Sequence, residues 1–251
     1  NVAITSIDYC AIRLYTTGWS IDEGNRHQTG SYCDLPLGMG GAIYANNDLN
    51  IENSKYISNS ARIGGAIATY GLPNLEAKNS TFMNNRANDT RRSIGENDLD
   101  YFGYNSGHEG GAIWGNFNKL HVLESEFYFN QAIRDGGAIH ATSKDGKIID
   151  SVLMYNTAGV SGGALDVSDN FIIMRSVISN NSASYGGAIE YTSSVYYGHI
   201  QNNLNIYNST ISGNKALDRG GAFNFGSGNI TIRDSNIVGN FAPSGNTIGS
   251  S

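Results

Sequence analysis

The stretch SVISNNSASYGGAIEY, residues 176–191, contains two short patterns that recur along the chain. The first is a Ser, an apolar residue two positions later, an Asn three positions after that, and an Ala two positions further on. The second is Gly-Gly-Ala followed by a large apolar residue. Because both patterns return in the same order, we expect a structural unit that repeats with them.

The Gly-Gly motif recurs at nearly regular intervals. It occupies residues 40–43, 64–67, 110–113, 136–139, 162–165, 186–189 and 220–223, with a degenerate copy, Gly-Asn-Thr-Ile, at 245–248. Successive copies begin 24, 46, 26, 26, 24, 34 and 25 residues apart, so the period is about 25 residues and two intervals are longer. The two long intervals indicate insertions at about residues 88–109 and 191–203.

Each repeat contains alternating apolar residues ahead of its Ser, as in Leu49/Ile51 and Phe171/Ile173. Alternation predicts strands, because successive side chains of a strand face opposite sides. The L-x-I, S-x-apolar and GGAI segments therefore predict three short strands per repeat. This pattern predicts an all-β fold, a parallel β-helix of about eight coils, and strand twist favours the right-handed form.

The predicted organisation has two parts. Residues 1–38 precede the first Gly-Gly motif and form an N-terminal cap or irregular first coil, and residues 39–251 form the β-helix. Cys10 and Cys33 both fall in the first part. In a secreted chain we expect them to form a disulfide that ties down the terminus, and the alternative is two unpaired buried thiols.

The Asn of the first pattern predicts a ladder inside the stack. Identical positions of neighbouring coils lie about 4.8 Å apart, so each side-chain amide can donate to the next coil and accept in turn. The Gly-Gly pair allows a tight bend and a close approach of backbones. The predicted ladder consists of Asn59, Asn85, Asn130, Asn156, Asn181, Asn214 and Asn240.

Together these motifs resemble the passenger repeats of the chlamydial polymorphic outer-membrane proteins, which combine GGAI with an apolar-x-x-Asn pattern. The resemblance covers about residues 38–248. It implies a surface-exposed β-helix with an adhesive or structural role, and hence a secreted or cell-surface location.

The composition narrows the classes of partner. The net charge is −6 and only 15% of residues are charged, which argues against nucleic acid or an anionic membrane as a partner. No apolar run approaches the ~20 residues of a membrane-spanning helix, so we expect no membrane insertion. Phosphate-binding and nucleophile-elbow motifs are missing and the His residues lack metal-ligand spacing, so no cofactor is predicted.

One candidate catalytic site follows the GGAI strands. The residue after each motif is Trp114, His140, Asp166 and Glu190 in four successive repeats. If this column points outward, Asp166 and Glu190 form an acid/base pair at the separation of a retaining glycosidase, with His140 beside them. The alternative is a solvated column of variable polar residues.

A second candidate precedes the Gly-Gly pairs. Glu109 and Asp135 occupy adjacent repeats, with Arg134 nearby. They are candidates for a calcium site, although two carboxylates fall short of the ~6–8 oxygen ligands that calcium takes. The alternative is a set of surface ion pairs.

Aromatic residues in the insertions form a third candidate, a ligand-binding surface. Tyr101, Tyr104, Tyr196 and Tyr197 lie in the insertions, and Trp114 lies between them. Exposed aromatic rings beside polar side chains are typical of surfaces that bind glycans or proteins. The alternative is that these rings cover the core beneath long loops.

Two functions from different classes follow from the sequence. The first is an extracellular structural or adhesive protein that is not an enzyme and that stacks end to end with itself into a filament, with a host surface or glycan as a further partner. In that arrangement the strand-like segment 1–9 of one copy completes the last coil of the next. The second is a polysaccharide-binding protein, lyase or glycoside hydrolase that uses the face flanked by the insertions.

Overall fold

A computed structural model describes residues 39–88, 107–192 and 202–245, together with the backbone of two short strands near the ends of the chain. The described residues are all-β. In chain order the strands are β1 (Ile12–Leu14), β2 (Ile43–Ala45), β3 (Leu49–Glu52), β4 (Lys55–Ile57), β5 (Ser60–Ala61), β6 (Ile67–Thr69), β7 (Asn74–Lys78), β8 (Thr81–Met83), β9 (Arg86–Ala87), β10 (Ile113–Leu123), β11 (Glu126–Tyr128), β12 (Gln131–Ala132), β13 (Ile139–Ile149), β14 (Val152–Met154), β15 (Thr157–Ala158), β16 (Leu165–Met174), β17 (Val177–Ser179), β18 (Ser182–Tyr185), β19 (Ile189–Thr192), β20 (Asn203–Tyr207), β21 (Thr210–Ser212), β22 (Lys215–Arg219), β23 (Phe223–Phe225), β24 (Asn229–Arg233), β25 (Asn236–Val238) and β26 (Ile248–Ser250). No helix among the described residues has the length and hydrophobicity needed to cross a membrane.

These strands form three parallel sheets. The largest contains the GGAI and L-x-I strands, the second contains the S-x-apolar strands, and the third contains two- to five-residue strands around the Ala that follows the Asn. Equivalent positions of successive repeats pair in register, as Phe82, Phe127 and Leu153 do. Parallel strands in stacked sheets, with one repeat beside the next, are consistent with a β-helix.

The division into strands differs from the sequence-based prediction in two respects. In three repeats the GGAI and L-x-I strands are one continuous strand, as in β10, β13 and β16, because pairing with the neighbouring repeat continues across the residues that join the two segments. The segment after each Asn, for which we predicted no strand, forms the third sheet. Its strands are short because the Gly-Gly bend follows within a few residues.

The core consists of the apolar positions of each repeat stacked on one another. In the second sheet, the rings of Tyr56, Phe82 and Phe127 stack with centroid separations of 4.9 and 4.5 Å and nearly parallel planes. At Gly146, which interrupts the apolar pattern, a Cβ would lie 2.6 Å from the ring of Phe171, so the neighbouring ring uses the space. The loss of a side chain at Gly146 is thus compensated by the large ring of Phe171 in the next repeat, and the core stays filled.

The Asn residues form a buried column of hydrogen bonds. The Nδ2 of Asn156 donates to Oδ1 of Asn181 (3.0 Å) and to the carbonyl of Phe127 (3.0 Å). Its Oδ1 accepts from both the backbone N–H and the Nδ2 of Asn130, each at 2.9 Å. The pattern continues from Asn59 to Asn240, and each amide between these two ends connects three repeats.

Candidate functional site

The Gly-Gly bend brings two columns of side chains onto one face. The first Gly of each pair has a positive φ, for example +65° at Gly136 and +64° at Gly162, and a Cβ on Gly162 would lie 2.1 Å from the carbonyl oxygen of Leu165. Only Gly adopts this conformation at so close an approach. The residue before each Gly-Gly pair, the leading column, therefore lies beside the residue after each GGAI, the trailing column.

The trailing column keeps strict register from repeat to repeat. Strand pairing aligns Tyr44, Ala68, Trp114, His140, Asp166, Glu190 and Asn224 as successive partners. The leading column consists of Met39, Ile63, Glu109, Asp135, Ser161, Tyr185 and Arg219. The two sites that the sequence suggested separately, one from each column, thus form one site.

We define the acidic cluster as Glu109, Asp135, His140, Asp166 and Glu190. His140 connects the two columns: its Nε2 lies 3.6 Å from Oε2 of Glu109, and its Nδ1 lies 3.2 Å from Oδ2 of Asp166. The Nδ1 has no hydrogen-bond partner of acceptable geometry, so its contact with Asp166 is an ion pair.

Neighbouring groups hold the ends of the cluster. The indole Nε1 of Trp114 donates to Oε2 of Glu109 (3.0 Å), and the Nδ2 of Asn224 donates to Oε1 of Glu190 (3.0 Å). The backbone N–H of Ser161 donates to Oδ1 of Asp135 (3.1 Å). The other oxygen of Glu190, Oε2, is buried without a hydrogen-bond partner.

The cluster is largely shielded from water. The side chains of Glu109 and Asp166 are 7% and 15% exposed, whereas His140 is 29% exposed and is the member most open to solvent. The sequence-based alternative of a solvated polar column does not describe this stretch, because the adjacent leading column covers part of the trailing column. Buried carboxylates this close together repel one another, and such arrangements are typical of functional sites.

Burial and mutual repulsion shift the pKa values of three members. Burial raises the pKa of Asp135 to about 6, with a further increase from the charge of Asp166. Burial also raises the pKa of Glu190 to about 7, against the hydrogen bond from Asn224. For His140, burial lowers the pKa, but the nearby carboxylates, first Asp166, outweigh it and raise the pKa to about 9. At neutral pH the cluster therefore holds an imidazolium and a partly protonated Glu190.

Three contributors to the site were not singled out from the sequence: Asn224, Tyr185 and Arg219. The guanidinium of Arg219 lies 5.1 Å from the centre of the Tyr185 ring, and its charge also acts on Glu190. Both belong to the leading column, in which Tyr185 is two repeats and Arg219 three repeats beyond Asp135. The position before each Gly-Gly pair is therefore the sequence signal that could have identified them.

Several predicted site residues lie outside the described residues. These are Tyr101, Tyr104, Tyr196 and Tyr197 of the insertions, and Cys10 and Cys33 of the N-terminal segment. Of the predicted aromatic surface, only Trp114 is described, and its side chain is half-buried beside Glu109. The described residues end at 88 before the first insertion and at 192 before the second. The second insertion follows β19, the strand that carries Glu190.

The cluster does not have the geometry of a metal centre. In the part of the chain that the structure describes, no group of three or more His, Cys, Asp and Glu side chains is arranged to hold a metal ion. The calcium candidates Glu109 and Asp135 instead contact Trp114, His140 and the backbone of Ser161, and Asp135 lies 3.8 Å from the guanidinium of Arg134.

Comparison with known proteins adds no family. No protein-family model, curated protein or solved structure matches the chain.

Proposed function

We propose that the acidic cluster binds a polysaccharide and hydrolyses its glycosidic bonds, with Glu190 as general acid and Asp166 as nucleophile. The observation that carries the proposal is the in-register pairing of Asp166 with Glu190 inside a shielded cluster of four carboxylates. In-register residues of adjacent parallel strands are ~4.8 Å apart, which is near the ~5–5.5 Å between the carboxyl groups of retaining glycosidases.

The environments of the two carboxyl groups support different roles. Burial raises the pKa of Glu190 to about 7, so at neutral pH a substantial fraction carries a proton that it can donate. Oδ2 of Asp166 lies 3.2 Å from Nδ1 of His140, and this ion pair with the protonated imidazole holds the Asp166 side chain in place. A pair with one protonated and one ionised carboxyl group is what acid-catalysed glycoside cleavage requires.

The proposed reaction has two balanced steps. Glu190 gives its proton to the glycosidic oxygen while a carboxylate oxygen of Asp166 forms a bond to the anomeric carbon, and the bond from that carbon to the leaving sugar breaks. Ionised Glu190 then takes a proton from water, and the resulting hydroxide displaces Asp166 from the anomeric carbon. The product keeps the anomeric configuration of the substrate.

The experiment is a screen of soluble polysaccharides for release of reducing ends, followed by two variants. Glu190→Gln and Asp166→Asn should each lower the rate by roughly 100-fold or more. The matched control is Glu126→Gln, an exposed carboxylate on β11 that should leave the rate unchanged. Full activity of Glu190→Gln, or no cleavage of any polysaccharide by the parent protein, would contradict the proposal.

The scaffold that we propose for this site is a right-handed parallel β-helix of about eight coils. A polysaccharide substrate favours a secreted or cell-surface location. An oxidised Cys10–Cys33 pair fits the same proposal.

A second candidate function, end-to-end stacking of copies into a filament, is favoured by the last described repeat. Ile230, Ile232 and Ile237 are only partly buried there, whereas their counterparts one repeat earlier, Leu204, Ile206 and Ile211, are fully buried. Among the described residues, no strand pairs with the outer edges of β24 and β25. Such an edge invites another strand, and a second copy offers one.

Sedimentation over a range of protein concentrations tests the stacking. We expect species larger than the monomer that grow with concentration, and rods in negative-stain images. A monomer at the highest concentration would contradict this second function and leave the first intact.

A further inference from the structure

The acidic cluster continues into an apolar patch along the same two columns. We define the apolar patch as Met39, Tyr44, Ile63, Ala68 and Trp114, which pack together; Met39, Tyr44 and Ala68 are buried, whereas Ile63 and Trp114 are partly exposed. In the trailing column, Ala68 pairs with Trp114 and Trp114 pairs with His140. The patch therefore begins in the repeat that contains Glu109 and extends away from Asp166 and Glu190.

Trp114 forms the boundary between the two regions. Its Nε1 is fixed by Glu109 at 3.0 Å, and its ring packs against the patch while remaining partly exposed. A ring fixed in this way loses little further freedom when a ligand covers it, so its contact area is available for binding. Trp114 is two repeats from Asp166, about 10 Å at ~4.8 Å per strand.

The charges around the cluster decide which ligand fits. The cations beside it face groups of the protein: His140 faces Asp166 and Glu109, Arg134 lies 3.8 Å from Asp135, and Arg219 lies over the ring of Tyr185. A ligand carboxylate or sulfate here would be brought beside four protein carboxyl groups. Like charges at such distances repel, and the shielding from water strengthens the repulsion.

We propose that the ligand is an uncharged linear polysaccharide that lies along the stacking direction, with one sugar ring against Trp114 and the bond to be cleaved at Asp166 and Glu190. This inference rests on the proposed function and names its substrate class. The apolar face of a neutral sugar ring suits the indole, and its hydroxyl groups suit the carboxyl groups beyond it. The regular strand spacing favours a ligand that is itself a linear repeat.

Binding to the Glu190→Gln variant, in which cleavage is blocked, tests the substrate class. Three kinds of polymer are compared by affinity electrophoresis and calorimetry: neutral glucans, xylans and mannans, then polygalacturonate and alginate, then deacetylated chitin. We expect binding to at least one neutral polymer and weaker or no binding to the acidic polymers. The amine-bearing polymer is the competing ligand, because the carboxyl groups of the cluster would attract its ammonium groups.

Trp114→Ala in the same background tests the subsite. We expect affinity for the neutral polymer to fall at least roughly tenfold, since a buried aromatic contact is lost. Phe129→Ala, an exposed ring elsewhere on the surface, is the control and should leave affinity unchanged. A second readout keeps Trp114 in place. In a Trp19→Phe protein Trp114 is the sole tryptophan, and its fluorescence should shift when the neutral polymer is added.

The outcomes separate this inference from the proposed function. Tighter binding of an acidic or an amine-bearing polymer would overturn the substrate class while hydrolysis at Asp166 and Glu190 stands. Unchanged affinity of Trp114→Ala, with unshifted Trp114 fluorescence, would overturn the subsite alone. Absence of binding and of cleavage for every polymer would overturn the proposed function itself.

Discussion

The Asn column and the acidic cluster are both columns of polar side chains on the same stacked strands, yet they are built differently. The Asn column has the same residue type from Asn59 to Asn240, and the amide groups of its central members have protein partners on both sides. The trailing column changes from Trp114 to His140, Asp166, Glu190 and Asn224. Buried atoms remain without partners there, including Oε2 of Glu190 and Oδ1 of Asn224.

The difference follows from the chemistry of the groups. An amide is both donor and acceptor, so copies displaced by one strand spacing satisfy one another. A carboxylate only accepts, so a column of carboxylates repels itself and needs cations or protons. Repetition of Asn therefore stabilises the stack, whereas Asp166 and Glu190 in sequence weaken it. A destabilising arrangement inside a regular scaffold indicates a function.

The largest effect is expected from breaking the Asn column in its middle. Asn156→Ala removes four hydrogen bonds, two donated by Asn130 and two accepted by the Phe127 carbonyl and Oδ1 of Asn181. The backbone N–H of Asn130 loses its side-chain acceptor, whereas Asn181 Oδ1 keeps the backbone N–H of residue 156. We expect the free energy of unfolding to fall by about 3 kcal/mol, because four buried hydrogen bonds are lost at about 1 kcal/mol each. Urea denaturation followed by circular dichroism measures the loss.

The control for this variant is Asn118→Ala. Asn118 is exposed and donates a single side-chain hydrogen bond to Asn74 at 3.0 Å. It should change stability by less than about 0.5 kcal/mol. Equal effects of the two substitutions would show that the buried column contributes no more than a surface amide.

The sequence predicts the Asn column better than it predicts the cluster, for a physical reason. Each Asn contacts its own equivalent in the next repeat, so the period alone predicts its partner. The contact between Glu109 and His140 joins different positions in different repeats and depends on the positive-φ bend at Gly110 and Gly136. The repeat spacing predicts the column to which Glu109 and His140 each belong. It does not show that the bend brings these two columns together.

The strands show the same limit. The S-x-apolar strand follows directly from alternation. The pairing of Ser60–Ala61 with Arg86–Ala87 involves only two residues, so its recurring Ala is too short a segment to show the alternation of a strand. The fusion of GGAI with the L-x-I strand in β10 accompanies pairing with β13 on both sides of the join, which the local pattern does not show. Local patterns predict which residues face the core, and tertiary pairing decides where a strand ends.

An intermediate effect on the stability of the fold is expected from changing the charge of the acidic cluster, and its size depends on pH. Glu190 and Asp135 have raised pKa values of about 7 and about 6, so the folded state holds their protons more tightly than the unfolded state. Ionisation of these two carboxyl groups therefore lowers the free energy of unfolding as pH rises from about 4 to 7. The stabilisation from protonated His140, whose pKa is raised to about 9, is lost as pH rises from about 6.5 to 9. All three groups lower stability as pH rises.

Glu190→Gln isolates one contribution. The amide keeps an acceptor for Asn224 but has no proton to lose, so we expect the variant to be more stable than the parent at pH 8 by about 1–3 kcal/mol and equal to it near pH 4.5. Thermal melting at several pH values measures the difference. Glu126→Gln should follow the parent curve, and a Glu190→Gln curve parallel to the parent would contradict the assignment.

The smallest effect is expected at a third column, which is neither ladder nor cluster. Phe129 and Tyr155 precede the ladder residues, and both have left-handed backbones, with φ of 56° and 59°. Their exposed rings stack at 5.1 Å with an interplanar angle of 7°. The same position in neighbouring repeats is Asn84 and Asn180, and Asn tolerates this backbone better than an aromatic residue.

Tyr155→Asn therefore combines two opposing changes of similar size. It loses a ring contact of about 0.5–1.5 kcal/mol and relieves about 1 kcal/mol of backbone strain, so the net change should be within about 0.5 kcal/mol. Phe129→Asn should behave alike. In the double variant the stack can be lost only once while strain is relieved twice, so it should be more stable than either single variant by about 1 kcal/mol. A loss above about 2 kcal/mol in Tyr155→Asn would instead show that this outer column supports the fold as the Asn column does.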